Sequence, residues 1–124
     1  MDLVEFLRDR LAKDERIAQA CSGGPWKTAP SGTVTADADD PGFVATAENE
    51  AYAEHIARHD PARTLREVAA ARQIVDDYEK ETWMLGQGHR SPELEAAHEA
   101  RASVLRLLAL PYAAHPAYQE EWRP

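Results

Sequence analysis

The dipeptide Asp60-Pro61 constrains this chain more than any other feature. Proline has no amide donor and its φ is locked near the helical value, so it is accepted at the first position of a helix and disrupts one deeper in. Asp60 is a good N-cap, because its carboxylate accepts from the orphan amides of the next turn. A helix therefore starts at Pro61, and the chain before it must turn a corner. The same grammar recurs at Ser91-Pro92, which opens another helix.

Around these two starts, apolar residues recur at helical spacing. Leu65, Val68, Ala71, Val75 and Tyr78 carry a long helix over 61–84, with Trp83, Met84 and Leu85 continuing the cluster until Gly86-Gln87-Gly88 breaks it. Leu94, Ala97, Val104, Leu105 and Leu108 carry a helix over 92–110, stopped by Pro111. Tyr52, Ala53 and Ile56 mark a short helix over 48–59. At the N-terminus Leu3, Phe6, Leu7, Leu11, Ile17 and Ala18 form the stripe of an amphipathic helix over 1–21, ended by Ser22-Gly23-Gly24-Pro25.

Residues 25–47 follow a different pattern. Trp26-Lys27-Thr28, Thr33-Val34-Thr35 and Phe43-Val44-Ala45-Thr46 are β-formers separated by Pro30-Ser31-Gly32 and Asp39-Asp40-Pro41-Gly42, which predicts a three-stranded antiparallel meander. So small a sheet needs a helix over one face, and Trp26, Val34, Phe43 and Val44 are the groups available to bury. The fold class expected is α+β, a meander packed against about four helices within one domain spanning 1–124. The segment 111–124 carries Tyr112, Tyr118 and Trp122, and aromatics of that size are expected to pack back onto the domain or against a partner.

Twenty-two acidic against fourteen basic residues give a formal charge of -8, whose field repels phosphate backbones, so neither nucleic acid nor an anionic membrane is an expected partner. Cys21 is the single cysteine, which leaves no intrachain disulfide and no cysteine zinc site, and fits a reducing, cytoplasmic setting. The first residues lack a positive leader followed by an apolar core, and no run reaches the ~20 apolar residues of a membrane span, so export by that route and membrane insertion are not expected.

The chemistry-bearing candidates are few. His55 and His59 stand four apart, which on a helix places two imidazoles on one face, and His115 could complete a zinc site with them. The helical motif His-Glu-x-x-His is absent, since Ile56 occupies the position of the general base. An imidazole near a helix C-terminus also caps carbonyls and favours the helix dipole, which is the plainer role for this pair. His89 and His98 have no motif around them. Cys21 sits at a helix C-terminus, where the dipole opposes thiolate formation, and there is neither a nucleophile elbow nor a P-loop. Asp37, Asp39 and Asp40 lack the glycine and the terminal glutamate of an EF-hand loop. No catalytic residue and no cofactor are assigned.

Two segments, His55-Ile-Ala-Arg-His-Asp-Pro-Ala-Arg-Thr-Leu-Arg-Glu-Val68 and Leu105-Arg-Leu-Leu-Ala-Leu-Pro-Tyr-Ala-Ala-His-Pro-Ala-Tyr-Gln-Glu-Glu-Trp-Arg-Pro124, resemble the signatures of a family of small uncharacterised actinobacterial proteins found in Streptomyces-like chromosomes and their phages. Gly24-Pro25-Trp26 and the short strands after it are more loosely similar to Ead-like proteins of temperate phages. The resemblance implies a mobile-element or accessory-gene setting and brings no known activity. The function expected is therefore that of a non-enzymatic accessory or interaction protein that binds a protein partner or itself. The alternative is a small metal-binding protein or enzyme using His55, His59 and His115. A nucleic-acid mimic with an acidic face is a third reading.

Overall fold

The computed structural model describes residues 1–21, 25–36 and 42–124. The element order is α1 (Leu3–Gln19), β1 (Trp26–Thr28), β2 (Thr33–Ala36), β3 (Phe43–Thr46), α2 (Glu50–Arg58), α3 (Pro61–Gly86) and α4 (Pro92–Ala109), followed by two short 3-10 turns at Leu110–Tyr112 and Glu120–Trp122. The fold is α+β, four helices and one antiparallel sheet of order β1-β2-β3. The expected glycine cap at residues 22–24 and the acidic turn at residues 37–40 lie outside the described residues. The chain divides into two compact units, Met1–Ala12 with Ala69–Pro124, and Lys13–Val68.

In the first unit, the core is Phe6, Leu7, Val75, Leu105, Ala109 and Trp122. α1 begins with a reciprocal capping box: Asp2 Oδ1 accepts from the Glu5 amide at 2.8 Å and Glu5 Oε2 from the Asp2 amide at 3.1 Å. Arg8 of the same helix bonds Asp76 and Glu79 of α3, and these two carboxylates, Asp76 first, raise the guanidinium pKa. The aromatic tail packs back onto its own unit. Phe6 lies 5.0 Å from the Trp122 ring and meets Tyr112, Tyr118 and His115 edge-on, an arrangement that suits the ring quadrupoles.

α3 runs two residues further than the apolar pattern suggested, because Gly86 is still helical and the cap is made later. Gly88, at φ 85, donates to the Leu85 carbonyl and His89 to that of Met84, the paired bonds of a Schellman motif. Only Leu85 of the expected Trp83-Met84-Leu85 cluster is buried; Trp83 is turned to solvent. Ser91 caps α4 as its sequence indicates, accepting from the Leu94 amide at 3.1 Å.

In the second unit, α2 packs on β1 and β2, burying Ala53 and Val34 completely. Asn49 caps α2 by accepting from the Tyr52 amide. Phe43, expected inside, is exposed. A register shift between Val34 and Thr35 places Phe43 opposite Thr35, although uninterrupted pairing from Val34↔Ala45 would have set it against the buried Ala36. Cross-strand partners share a face, so one irregular residue carries the ring to the outer side. Ile17 of α1 is likewise exposed while its neighbour Ala18 is buried.

Candidate functional site

The sequence pair His55 and His59 does sit together, with ring centroids 4.4 Å apart at the end of α2. Their hydrogen bonding is that of a helix end. His59 Nδ1 lies 2.8 Å from the His55 carbonyl oxygen, and the His59 amide donates to the Ile56 carbonyl. One nitrogen of His59 is thus used to satisfy a carbonyl that α2 leaves without an amide. His115 belongs to the other compact unit, where its ring meets Phe6 and its Nδ1 accepts from the Ala117 amide at 3.0 Å. Among the described residues no group of three or more His, Cys, Asp or Glu is positioned to hold a metal ion.

The histidine with the richest surroundings is His98, on α4. It stacks on Tyr78 of α3 with ring centroids 4.5 Å apart and planes 11° from parallel. Its Nδ1 lies 3.2 Å from Glu81 Oε1, and Arg101, one turn further along α4, bonds the other oxygen of Glu81. Glu81 is only 5% exposed, so its charge has left most of its water and is held by these two donors. On the other side of the ring, Thr82 Oγ1 is 3.4 Å from His98 Nε2.

Hydroxyl, imidazole and carboxylate in that order form the skeleton of a nucleophilic triad, but the proton is directed elsewhere. Thr82 Oγ1 donates to the Tyr78 carbonyl one turn back at 2.9 Å, so the hydroxyl is not presented to the imidazole as an activated nucleophile. The neighbouring cleft, lined by Thr82, Leu85, Gly86, Arg90, Glu95 and His98, measures about 470 Å³, enough for a small ligand by volume. Its two formal charges bond each other, Arg90 to Glu95 at 2.8 Å, and so offer no converging pair to a substrate. The cluster is chemically an α3–α4 clasp.

Among the described residues, a run of exposed apolar side chains lies along the outer face of α4 and into the turn that follows it. Ala96, Ala100, Ser103, Val104, Leu107 and Leu110 are all exposed, with Leu107 at 56%, Leu110 at 40% and Val104 at 38%. Five of these positions alternate by four and three residues, the spacing of a seam that faces another helix. Glu99 and Arg106 flank the stripe on one side.

The model for a family of unknown function, DUF6221, matches residues 1–124. The chain belongs to that family. No match was found among curated proteins or solved structures. As the resemblance implied, the DUF6221 family brings no activity that could be carried over to residues of this chain.

Two signals in the DUF6221 sequence could have revealed the clasp and the outer face. Glu81 lies on the stripe of Ala71, Val75, Tyr78 and Leu85, and His98 lies seven residues before Leu105, so each falls on a buried helical face where an ionisable group requires a partner. α4 also carries two apolar stripes, of which the reading above used mainly the inner one. A helix apolar on both sides has more surface to cover than one neighbour can reach.

Proposed function

We propose that this protein is a non-enzymatic interaction protein that pairs the outer face of α4 with an amphipathic helix of a protein partner, itself included. The observation that carries this reading is the exposed stripe of Val104 and Leu107 on α4, continued by Leu110 at the start of the 3-10 turn that follows it. Side chains of this size, left in contiguous contact with water, mark an association surface more often than they serve the monomer. The heptad-like spacing fits a helical partner, and the clasp at Glu81 and His98 holds α4 firmly enough to present that face.

The -8 formal charge argues against nucleic acid as the partner. A cytoplasmic setting, fitting the single Cys21, and an origin in actinobacterial accessory genes or phages, resting on the signature resemblance, belong to the same proposal. No helix among the described residues is long and apolar enough to cross a membrane.

The test compares the full chain with its Leu107→Glu variant, by light scattering for self-association and by affinity capture for other partners. Binding present in the first and absent in the second, at unchanged melting temperature, supports the reading. Association unaffected by Leu107→Glu, or none of either kind, overturns it.

A further inference from the structure

We infer that the occupant of the α4 face is a second copy of this chain, packed antiparallel across a two-fold axis, with Glu99 of each copy paired to Arg106 of the other. The inference rests on the interaction reading above and names its partner and register.

The stripe is self-complementary only in that direction. Antiparallel packing of Ala96, Ala100, Ser103 and Leu107 on themselves sets Leu107 against Ala96 of the second copy and Ala100 against its Ser103, and symmetry repeats each layer. Within these four positions Leu107 meets a small residue, the small central pair lets the helix axes approach closely, and Leu110, one layer further out, meets the side chain of Glu93 of the second copy. In the same register Glu99 faces Arg106, again twice. In a parallel pair the flanking position opposite Glu99 would be Val104, and the charges would find no partner.

The present state of those charges favours the exchange. Within one chain Arg106 Nη2 and Glu99 Oε1 are 3.9 Å apart, the outer limit of an ion pair, with the Glu99 side chain 80% exposed. The ion pair itself is loose and costs little to give up, although the same Arg106 Nη2 also donates to Ser103 Oγ at 2.9 Å and would keep or exchange that bond on pairing. The charges lie at the edge of the stripe, where they set orientation, and the buried apolar layers supply affinity.

Sedimentation equilibrium of the full chain, over micromolar to sub-millimolar concentrations, tests this. The natural sequence should dimerise, and Leu107→Glu should be monomeric with its circular dichroism retained. Ala100→Arg, at another exposed position, gives a second disruption if Leu107→Glu lowers the melting temperature. Glu99→Arg and Arg106→Glu should each weaken the dimer about tenfold, because each sets two like-charged pairs face to face, and the double variant should restore it.

A chain monomeric at every concentration overturns the second copy as occupant, while affinity capture by the unmodified chain still decides whether another helix binds there. A dimer indifferent to both Leu107→Glu and Ala100→Arg overturns the α4 face altogether. A dimer lost in those variants, but no better restored in the double charge variant than in the single ones, overturns the antiparallel register.

Discussion

Asp60 ties Trp26 to the start of α3. One oxygen of its carboxylate accepts from the Arg63 amide at 2.8 Å, as an N-cap does, and the other accepts from the Trp26 amide at 3.3 Å at the head of β1. The side chain that starts the long helix therefore also anchors the sheet, and it does so at 9% exposure, where an unpaired amide would be costly.

Asp60→Ala should accordingly lose more than a cap. A cap alone is worth roughly 1 kcal/mol, and leaving the Trp26 amide without its acceptor adds a similar or larger cost, so a loss of about 2–4 kcal/mol is expected. Ser91→Ala, which removes a cap with no second bond, should cost about 1 kcal/mol. Urea unfolding of the two variants measures the difference, and equal losses would show the Trp26 bond to be idle.

Gly32 and Gly88, the two glycines at positive φ among the described residues, should respond differently to alanine. A Cβ on Gly32, at φ 84, would lie 2.6 Å from the Ala47 carbonyl oxygen, whereas nothing lies within 4 Å of one on Gly88. Gly88→Ala should show only the left-handed strain, about 1 kcal/mol, and Gly32→Ala that strain plus displacement of the backbone at Ala47, just after β3, above about 2 kcal/mol. Thermal melts of both give the comparison.

Glu81 and His98 make the third pair. Glu81→Leu removes a buried charge together with its need for partners, whereas His98→Ala leaves the carboxylate with Arg101 alone. His98→Ala is therefore expected to be the more damaging, by about 1–3 kcal/mol, with the Tyr78 stack lost as well. Denaturant midpoints decide the order, and a more severe Glu81→Leu would mean that the charge itself stabilises the hairpin.

Trp122→Ala should be among the most destabilising single changes in the first unit, about 3–5 kcal/mol, because it empties the ring site against Phe6. Loss of near-ultraviolet circular dichroism at moderate temperature would report it. A tail that served only a partner would leave the isolated chain's melting temperature unchanged.

Arg123 holds the Glu120 carboxyl below its ordinary pKa, first by hydrogen bonding and then by charge. A depressed carboxyl stabilises the fold above its unfolded pKa and loses that contribution as pH falls through the folded value. Both groups are exposed, Glu120 more than Arg123, so the effect belongs to its local titration. Arg123→Ala should return the Glu120 midpoint upward into the usual carboxylate range, read by side-chain carboxyl NMR. Arg8 shifts the opposite way, its pKa raised by its hydrogen bonds to Asp76 and Glu79.

Much of the architecture was legible because it is local. Asp60-Pro61 and Ser91-Pro92 start helices through bonds to amides three residues ahead, and the periods of Leu65 to Tyr78 and Leu94 to Leu108 follow from the pitch of the helix. The turn signals around residues 29–47 marked three strands for a similar reason: the backbone needs glycine or proline where it reverses.

What the amino-acid sequence alone determined, then, is where helices and strands begin, which faces are apolar, and that no recognised catalytic motif is present. Only the tertiary structure decided how those faces are used. It committed the second oxygen of Asp60 to β1, turned Phe43 outward through one shifted register, and closed Glu81, His98 and Arg101 into a clasp. It also covered one stripe of α4 and left Val104, Leu107 and Leu110 open. The physical reason is range. Caps and periods arise within a turn or two of the chain, whereas burial and pairing depend on groups distant in sequence whose meeting no local pattern encodes.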